Sequence, residues 1–144
     1  MQHLAIMKKS WGLTSKILSG EKKIESRWYK SKYPPWNRVK RNEFVYFKDS
    51  GEPVKIKTEV SKVLQFDSLN QRKVKKILHK FYVKDGIEHD KFDSFFKLFK
   101  DKKYCILIFL KNPREIEPFE INKKGFGLMS AWICVEDINK IRRR

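Results

Sequence analysis

Three side chains with complementary chemistry, Lys22, Glu25 and Arg27, fall within six residues of one another. If Lys23–Arg27 is a strand, its alternation puts Glu25 and Arg27 on one face together with Lys23, and Lys22 at the preceding turn can swing toward them. In such a cluster the carboxylate holds a cation in place while a cation meets a phosphate, and the planar fork of Arg27 suits bidentate phosphate contact. A lysine crowded by a second lysine is also one route to a reactive amine, which makes Lys22 and Glu25 the candidate catalytic pair. The same residues equally make an ion pair that pins the strand to its neighbour, worth about 0–1 kcal/mol if exposed.

Aromatic side chains follow at once. Trp28, Tyr29, Tyr33 and Trp36 are interleaved with Lys30, Lys32, Arg38, Lys40 and Arg41. Single-stranded nucleic acid asks for this combination, faces for the bases and cations for the backbone, with stacking worth roughly 1–3 kcal/mol per base. The competing reading folds the segment back on the core, with one of Trp28 and Trp36 buried and the other partly exposed. Near the C-terminus, Lys123-Lys124-Gly125-Phe126-Gly127 offers cations and backbone amides to a phosphate, or simply turns a hairpin. It lacks the G-K-[ST] of a triphosphate-binding loop. Trp11 and Trp132 read as core residues from their apolar neighbours.

Composition narrows the function classes. The 144 residues carry a formal charge of +17, with 35% charged and 40% apolar side chains. That surplus concentrates polyanions, so RNA is the expected partner, with an acidic protein surface as the other polyanion to consider. Four Trp, five Tyr and eleven Phe argue against disorder. No apolar run reaches the roughly 20 residues of a membrane span, and the first seven residues do not read as a secretory signal. Cys105 and Cys134 sit in apolar runs, as buried thiols in a reducing, cytoplasmic setting would, a disulfide between neighbouring strands being the other reading. His3, His79 and His89 form no close grouping with them, so neither a metal nor a cofactor is expected.

The positioning elements can be read along the chain. His3–Met7 is a first strand. Thr14 or Ser15 caps a short helix that Gly20 ends. Lys23–Arg27 is the second strand, and Tyr33-Pro34-Pro35-Trp36 forces a loop up to Arg41. Glu43–Lys48 and the alternating Val54, Ile56, Thr58, Val60 form a hairpin around Asp49-Ser50-Gly51. Val74, Ile77, Leu78 and Phe81, then Phe92, Phe95, Phe96 and Phe99, are helical stripes separated by Asp85-Gly86. Between Asn70 and Lys84 the chain holds many lysines and no acid, a solvated face or an unspecific phosphate track. Tyr104–Leu110 is a strand buried on both faces, which Asn112-Pro113 breaks. Phe119–Ile121 and Ala131–Val135 are further strands, and Asp137–Arg144 is a basic tail. The sum is an α+β chain, one domain over residues 1–144. About six strands close into a small barrel with two or three flanking helices, and a helical insert occupies about 70–100.

The stretch Gly20-Glu21-Lys22-Lys23-Ile24-Glu25-Ser26-Arg27 fits the pattern G-x-K-x-x-E-x-R, placed after a short helix and opening a strand. It resembles the signature of the ASCH family, which is related to the PUA-like RNA-binding barrels, and the element order from Gln2 to about Val63 resembles that family too. The resemblance implies a PUA-like barrel with a cleft beside the signature that holds RNA or a modified nucleobase. Lys22, Arg27, Trp28, Tyr29, Tyr33, Trp36, Arg38, Lys123 and Lys124 are then the nucleic-acid-binding candidates. Some bacterial relatives are amidohydrolases acting on N4-acetylated cytidine, with a Lys at the position of Lys22 and a Thr where this chain has Glu25. Ribonuclease activity has been proposed for others. Asn42-Glu43 stands where many relatives carry Gly-Asp.

Overall fold

The computed structural model describes residues 1–127 and 129–143. Its strands are β1 (Gln2–Met7), β2 (Ile24–Tyr29), β3 (Phe44–Asp49), β4 (Val54–Phe66), β5 (Tyr104–Phe119) and β6 (Trp132–Val135). Its α-helices are α1 (Leu13–Ser19), α2 (Gln71–Phe81) and α3 (Phe92–Phe99), with single turns of 3₁₀ helix at Lys9–Trp11, His89–Lys91 and Ile138–Ile141. One mixed sheet runs β2-β5-β4-β3-β1-β6, with β1 and β3 parallel and the other pairs antiparallel. The sheet curls until its two edges approach: Arg27 of β2 donates to the Ala131 carbonyl beside β6 and lies 5.2 Å over the Trp132 ring. The α+β class and six strands are those the element order implied, and the expected small barrel takes the form of a curled half-barrel.

Alternation along β5 explains its uninterrupted apolar run. Ile106 and Ile108 face the concave core with Val45, Phe47, Ile56 and Ile17 of α1. Cys105 and Leu107 face outward and are covered by Val74, Ile77 and Leu78 of α2 and Phe99 of α3. A strand buried on both faces has no wet side to alternate with, and each such aliphatic side chain contributes roughly 1.5–3 kcal/mol of burial. The two helical stripes are therefore a cover for the outer face of β2 and β5, and α3 is held to β2 by Phe99 stacked on Trp28 at 4.9 Å.

Several expectations are corrected. Asn112-Pro113 does not end the strand. Asn112 takes φ 51° and the pairing with β4 slips between Lys57/Arg114 and Glu59/Lys111, so the proline, with no N–H to give, sits in a bulge and β5 continues to Phe119. Phe119 thus belongs to β5, and Ile121 makes an isolated bridge to Arg142. Neither Thr14 nor Ser15 caps α1. Gly12 in the left-handed region precedes it, and the Thr14 hydroxyl donates to the Asp49 carboxylate. Trp28 and Tyr29 complete β2 rather than opening the loop. Trp11 is 39% exposed instead of core, whereas Trp132 is buried. Cys105 and Cys134 are free thiols, as their apolar runs imply; their strands are not neighbours, and Cys134 is half-buried where Cys105 is buried. Among the described residues no helix is long and apolar enough to cross a membrane.

Candidate functional site

The site begins where α1 ends. Gly20 closes the helix at φ 85°, a conformation that costs other residues strain. The chain then turns back, with the Lys22 amide donating to the Lys16 carbonyl. The amides of Lys23 and Ile24 both donate to the carbonyl of Lys84 (2.7 and 2.9 Å), which ties the start of β2 to the turn that follows α2. That turn presents Asp85. Gly86 beside it has φ 78°, and a Cβ there would come within 3.0 Å of the Lys22 Cβ, so only glycine lets the two segments approach this closely.

Lys22 is buried, and its ammonium donates to the Asp85 carboxylate (2.5 Å) and the Asp85 carbonyl (2.6 Å) and pairs with Glu25 Oε1 at 3.3 Å. Glu25 Oε2 accepts from Nε of Arg27 (2.9 Å) and forms an ion pair with its Nη2 at 2.8 Å. The second Asp85 oxygen accepts from the Ser26 hydroxyl at 2.6 Å, which in turn accepts from the Trp28 indole N–H at 3.0 Å. Two cations thus meet two carboxylates in a connected network. Burial pushes the Asp85 carboxyl above its usual range, against the pull of Lys22 and Ser26. Lys22 and Arg27, the cations expected to meet a phosphate, are each engaged by carboxylate oxygens, and the Arg27 side chain is 12% exposed.

β2 pairs on one side only, with β5, so its other edge is open. A cavity of about 260 Å³ lies along that edge. Its floor is Lys22, Glu25, Ser26, Arg27 and Asp85, and its walls include Trp11, Trp28, Tyr29, Phe95 and Phe99. Because the cavity runs along an edge, side chains from both faces of β2 reach it. Burial raises the Tyr29 phenol above its ordinary value, opposed by Arg27.

The structure brings together Lys22, Glu25, Arg27, Trp28 and Tyr29. The other candidates lie outside the cavity lining. Tyr33 is 60% exposed and stands edge-on to Tyr29. Trp36 is half-buried against Tyr104, and its indole N–H is buried without a hydrogen-bond partner among the described residues. Arg38 and Lys124 are exposed, and Lys123 is half-buried with its ammonium 3.0 Å from the Ser130 carbonyl. Asp85, Ser26, Trp11, Phe95 and Phe99 were not among the candidates. Asp85 could be read only as part of a turn, and the two phenylalanines only as a helical stripe. Among the described residues no group of three or more His, Cys, Asp and Glu is placed to hold a metal ion.

Compared by sequence, neither a family model nor a curated protein matches this chain. Compared by structure, the ASCH protein of Zymomonas mobilis superposes with a TM-score of 0.67 at 12% identity, covering 94% of this chain and 87% of that one. A point variant of the same protein gives 0.69 at 12% identity, over 96% and 93%. A further solved structure, described as a hypothetical protein, gives 0.51 at 18% identity over 78% and 97%. The likeness is one of fold: the chain shares the architecture of the ASCH protein of Zymomonas mobilis.

Proposed function

We propose that this chain, with its ASCH-type fold, binds RNA and takes one unstacked base, standard or modified, into the cavity at the open edge of β2. The observation that carries this is the cavity itself: aromatic walls around a hydrogen-bonded polar floor. Proteins that read single-stranded or extruded bases use this combination, a flat apolar slot for the ring and fixed polar atoms for its edge. At about 260 Å³ the space lies just below the roughly 300–1,000 Å³ of a drug-sized site, which suits a single base. The floor is balanced in charge, so it selects by hydrogen bonding, and attraction of the phosphates falls to exposed cations outside it, Arg38 and Lys124 among them. Arg27 belongs to the floor and closes the seam between β2 and β6, so Arg27→Ala is expected to weaken single-stranded RNA at least ten-fold while far-UV circular dichroism is unchanged. Equal affinity of the variant and the parent defeats the reading.

A second reading, a hydrolase acting on RNA or on acylated cytidine, is favoured by the contact of Lys22 with Glu25 at the cavity floor. Its test is turnover of N4-acetylcytidine or labelled RNA that Lys22→Ala abolishes. Stable substrates over a long incubation with the parent protein remove it.

A further inference from the structure

We infer that the cavity is one half of a two-base site, whose ligand is a dinucleotide step within a single strand rather than an isolated base. This deepens the RNA-binding reading and rests on it. A second cavity, of about 500 Å³, adjoins the first, and Trp11, Leu13, Ile87 and Phe95 line both. Trp11 stands edge-on to Phe95 with ring centroids 5.1 Å apart. The pair is thus a partition with a cavity on either side. Beyond it the second cavity is lined by Leu98, Lys91 and Ser94.

Exposure marks the partition as a contact surface. Trp11 is 39% exposed and Leu98 is 51% exposed, two large apolar side chains left in water along the second cavity. Exposed apolar groups gathered at a concavity, with polar groups at its rim, mark a binding site more often than chance packing does. Two bases placed on opposite sides of an aromatic wedge cannot stack on each other. Each instead gains an aromatic or apolar wall, which a flexible single strand permits and a duplex does not.

The charges suit the link between them. Lys8, whose ammonium lies 5.4 Å from the Trp11 ring, belongs to the first cavity, and Lys91 belongs to the second. Both are exposed, whereas Lys16, nearby, is engaged by the Gly86 carbonyl and by Glu88. A phosphodiester joining two bases across the partition therefore meets one exposed lysine from each side. A ligand with one base uses only the first.

The test compares uridine and adenosine 5′-monophosphates with the RNA dinucleotides UpU and ApA, by titration calorimetry. One further stacked base predicts that the better dinucleotide binds about ten-fold or more tightly than its mononucleotide. The variant Lys91→Glu/Leu98→Asp alters two exposed side chains of the second cavity alone, and is expected to erase that gain with the mononucleotide affinity kept. Dinucleotides that bind no better than mononucleotides overturn the two-base site and leave the RNA-binding reading standing. A variant that changes self-association instead of the dinucleotide gain overturns it too, by assigning the apolar rim to a second copy of this chain. If the parent binds no mononucleotide, dinucleotide or longer RNA, the underlying reading fails and this one with it.

Discussion

The floor of the cavity and the outer face of α2 handle charge in opposite ways. At the floor, Lys22 and Arg27 are matched by Glu25 and Asp85 within hydrogen-bonding distance and largely withdrawn from water. On α2 and the turn after it, Arg72, Lys73, Lys75, Lys76, Lys80 and Lys84 are all exposed, and among the described residues none is paired with an acid. The +17 of the chain is therefore carried by surfaces such as α2, not by the signature. If the chain binds RNA as proposed, attraction of the polyanion and recognition of what it carries fall to different regions. The first needs unpaired, solvated cations that act over about a Debye length. The second needs fixed donors and acceptors at short range, which a satisfied buried network supplies and loose charge does not.

If this division is right, removing one charge has unlike consequences in the two places. Lys22→Met leaves Asp85 and part of Glu25 buried without their cation, the situation that typically costs about 3–5 kcal/mol. Denaturant unfolding at neutral pH is expected to show a loss of that order. Two controls sharpen it. Lys22→Met/Asp85→Asn, which removes the orphaned charge as well, is expected to recover much of the stability. The single variant is also expected to regain stability as pH falls: burial already raises the Asp85 carboxyl above its ordinary 3.8, and a group with a raised native value favours the folded state on the acid side. A Lys22→Met protein as stable as the parent would make the floor an ordinary surface ion pair and dissolve the contrast.

The next effect lies one layer behind Arg27. Its guanidinium covers Trp132, whose indole N–H donates to Nδ1 of the fully buried His3 at 3.1 Å. An indole nitrogen only donates, so His3 Nδ1 accepts, and the ring proton is on Nε2, which donates to Glu43 at 2.9 Å. The native ring is neutral. Burial lowers its value below the ordinary 6.5, with the N-terminus and Arg38 adding to the effect and Glu43 opposing it. A lowered native value means the unfolded chain takes up the proton first, so stability is full above about 6.5 and is lost as pH falls through the native value. One proton limits the slope to about 1.4 kcal/mol per pH unit. Unfolding free energies between pH 7.5 and 5 are expected to show this slope in the parent and not in His3→Gln. A flat profile in the parent would place His3 outside the paired region.

What could be read from the sequence follows the range of the interactions. The stripes of α2 and α3, the β3–β4 hairpin and the glycine at the end of α1 are set by neighbours a few residues apart, and their types declare them. The signature triad was legible as a cluster because Lys22, Glu25 and Arg27 are near one another in the chain. The other half of the site was not. Asp85 is 63 positions from Lys22, and Ala131 is 104 from Arg27, so nothing local distinguishes Asp85 from any turn aspartate. For the same reason, Trp11 departs from the core position its neighbours imply. Its apolar neighbours Leu13 and Ile17 do enter the core, but the turn at Lys9–Trp11 carries the indole out over Phe95. The Asn112-Pro113 pair signals interrupted pairing correctly, yet a bulge satisfies that signal as well as a strand end does.

The smallest expected effect on stability is on α2, and it is the one that divides the two regions most cleanly. Lys73, Lys76 and Lys80 fall on one side of the helix and line a groove of about 660 Å³ with Phe66 and Phe81. Asp67 also lines the groove, but among the described residues none of the three lysines forms an ion pair with an acid, so Lys73→Gln/Lys76→Gln/Lys80→Gln is expected to leave the thermal midpoint unchanged. Each single-strand phosphate contact contributes about 0.7 to the slope of log affinity against log salt. If all three meet phosphates, the triple variant flattens that slope by about 2 for a long RNA, while a mononucleotide, whose base goes to the neutral floor, binds as before. A triple variant that loses mononucleotide binding as steeply as it loses long RNA would mean that α2 reaches the recognition site, and attraction and recognition would then be one surface rather than two.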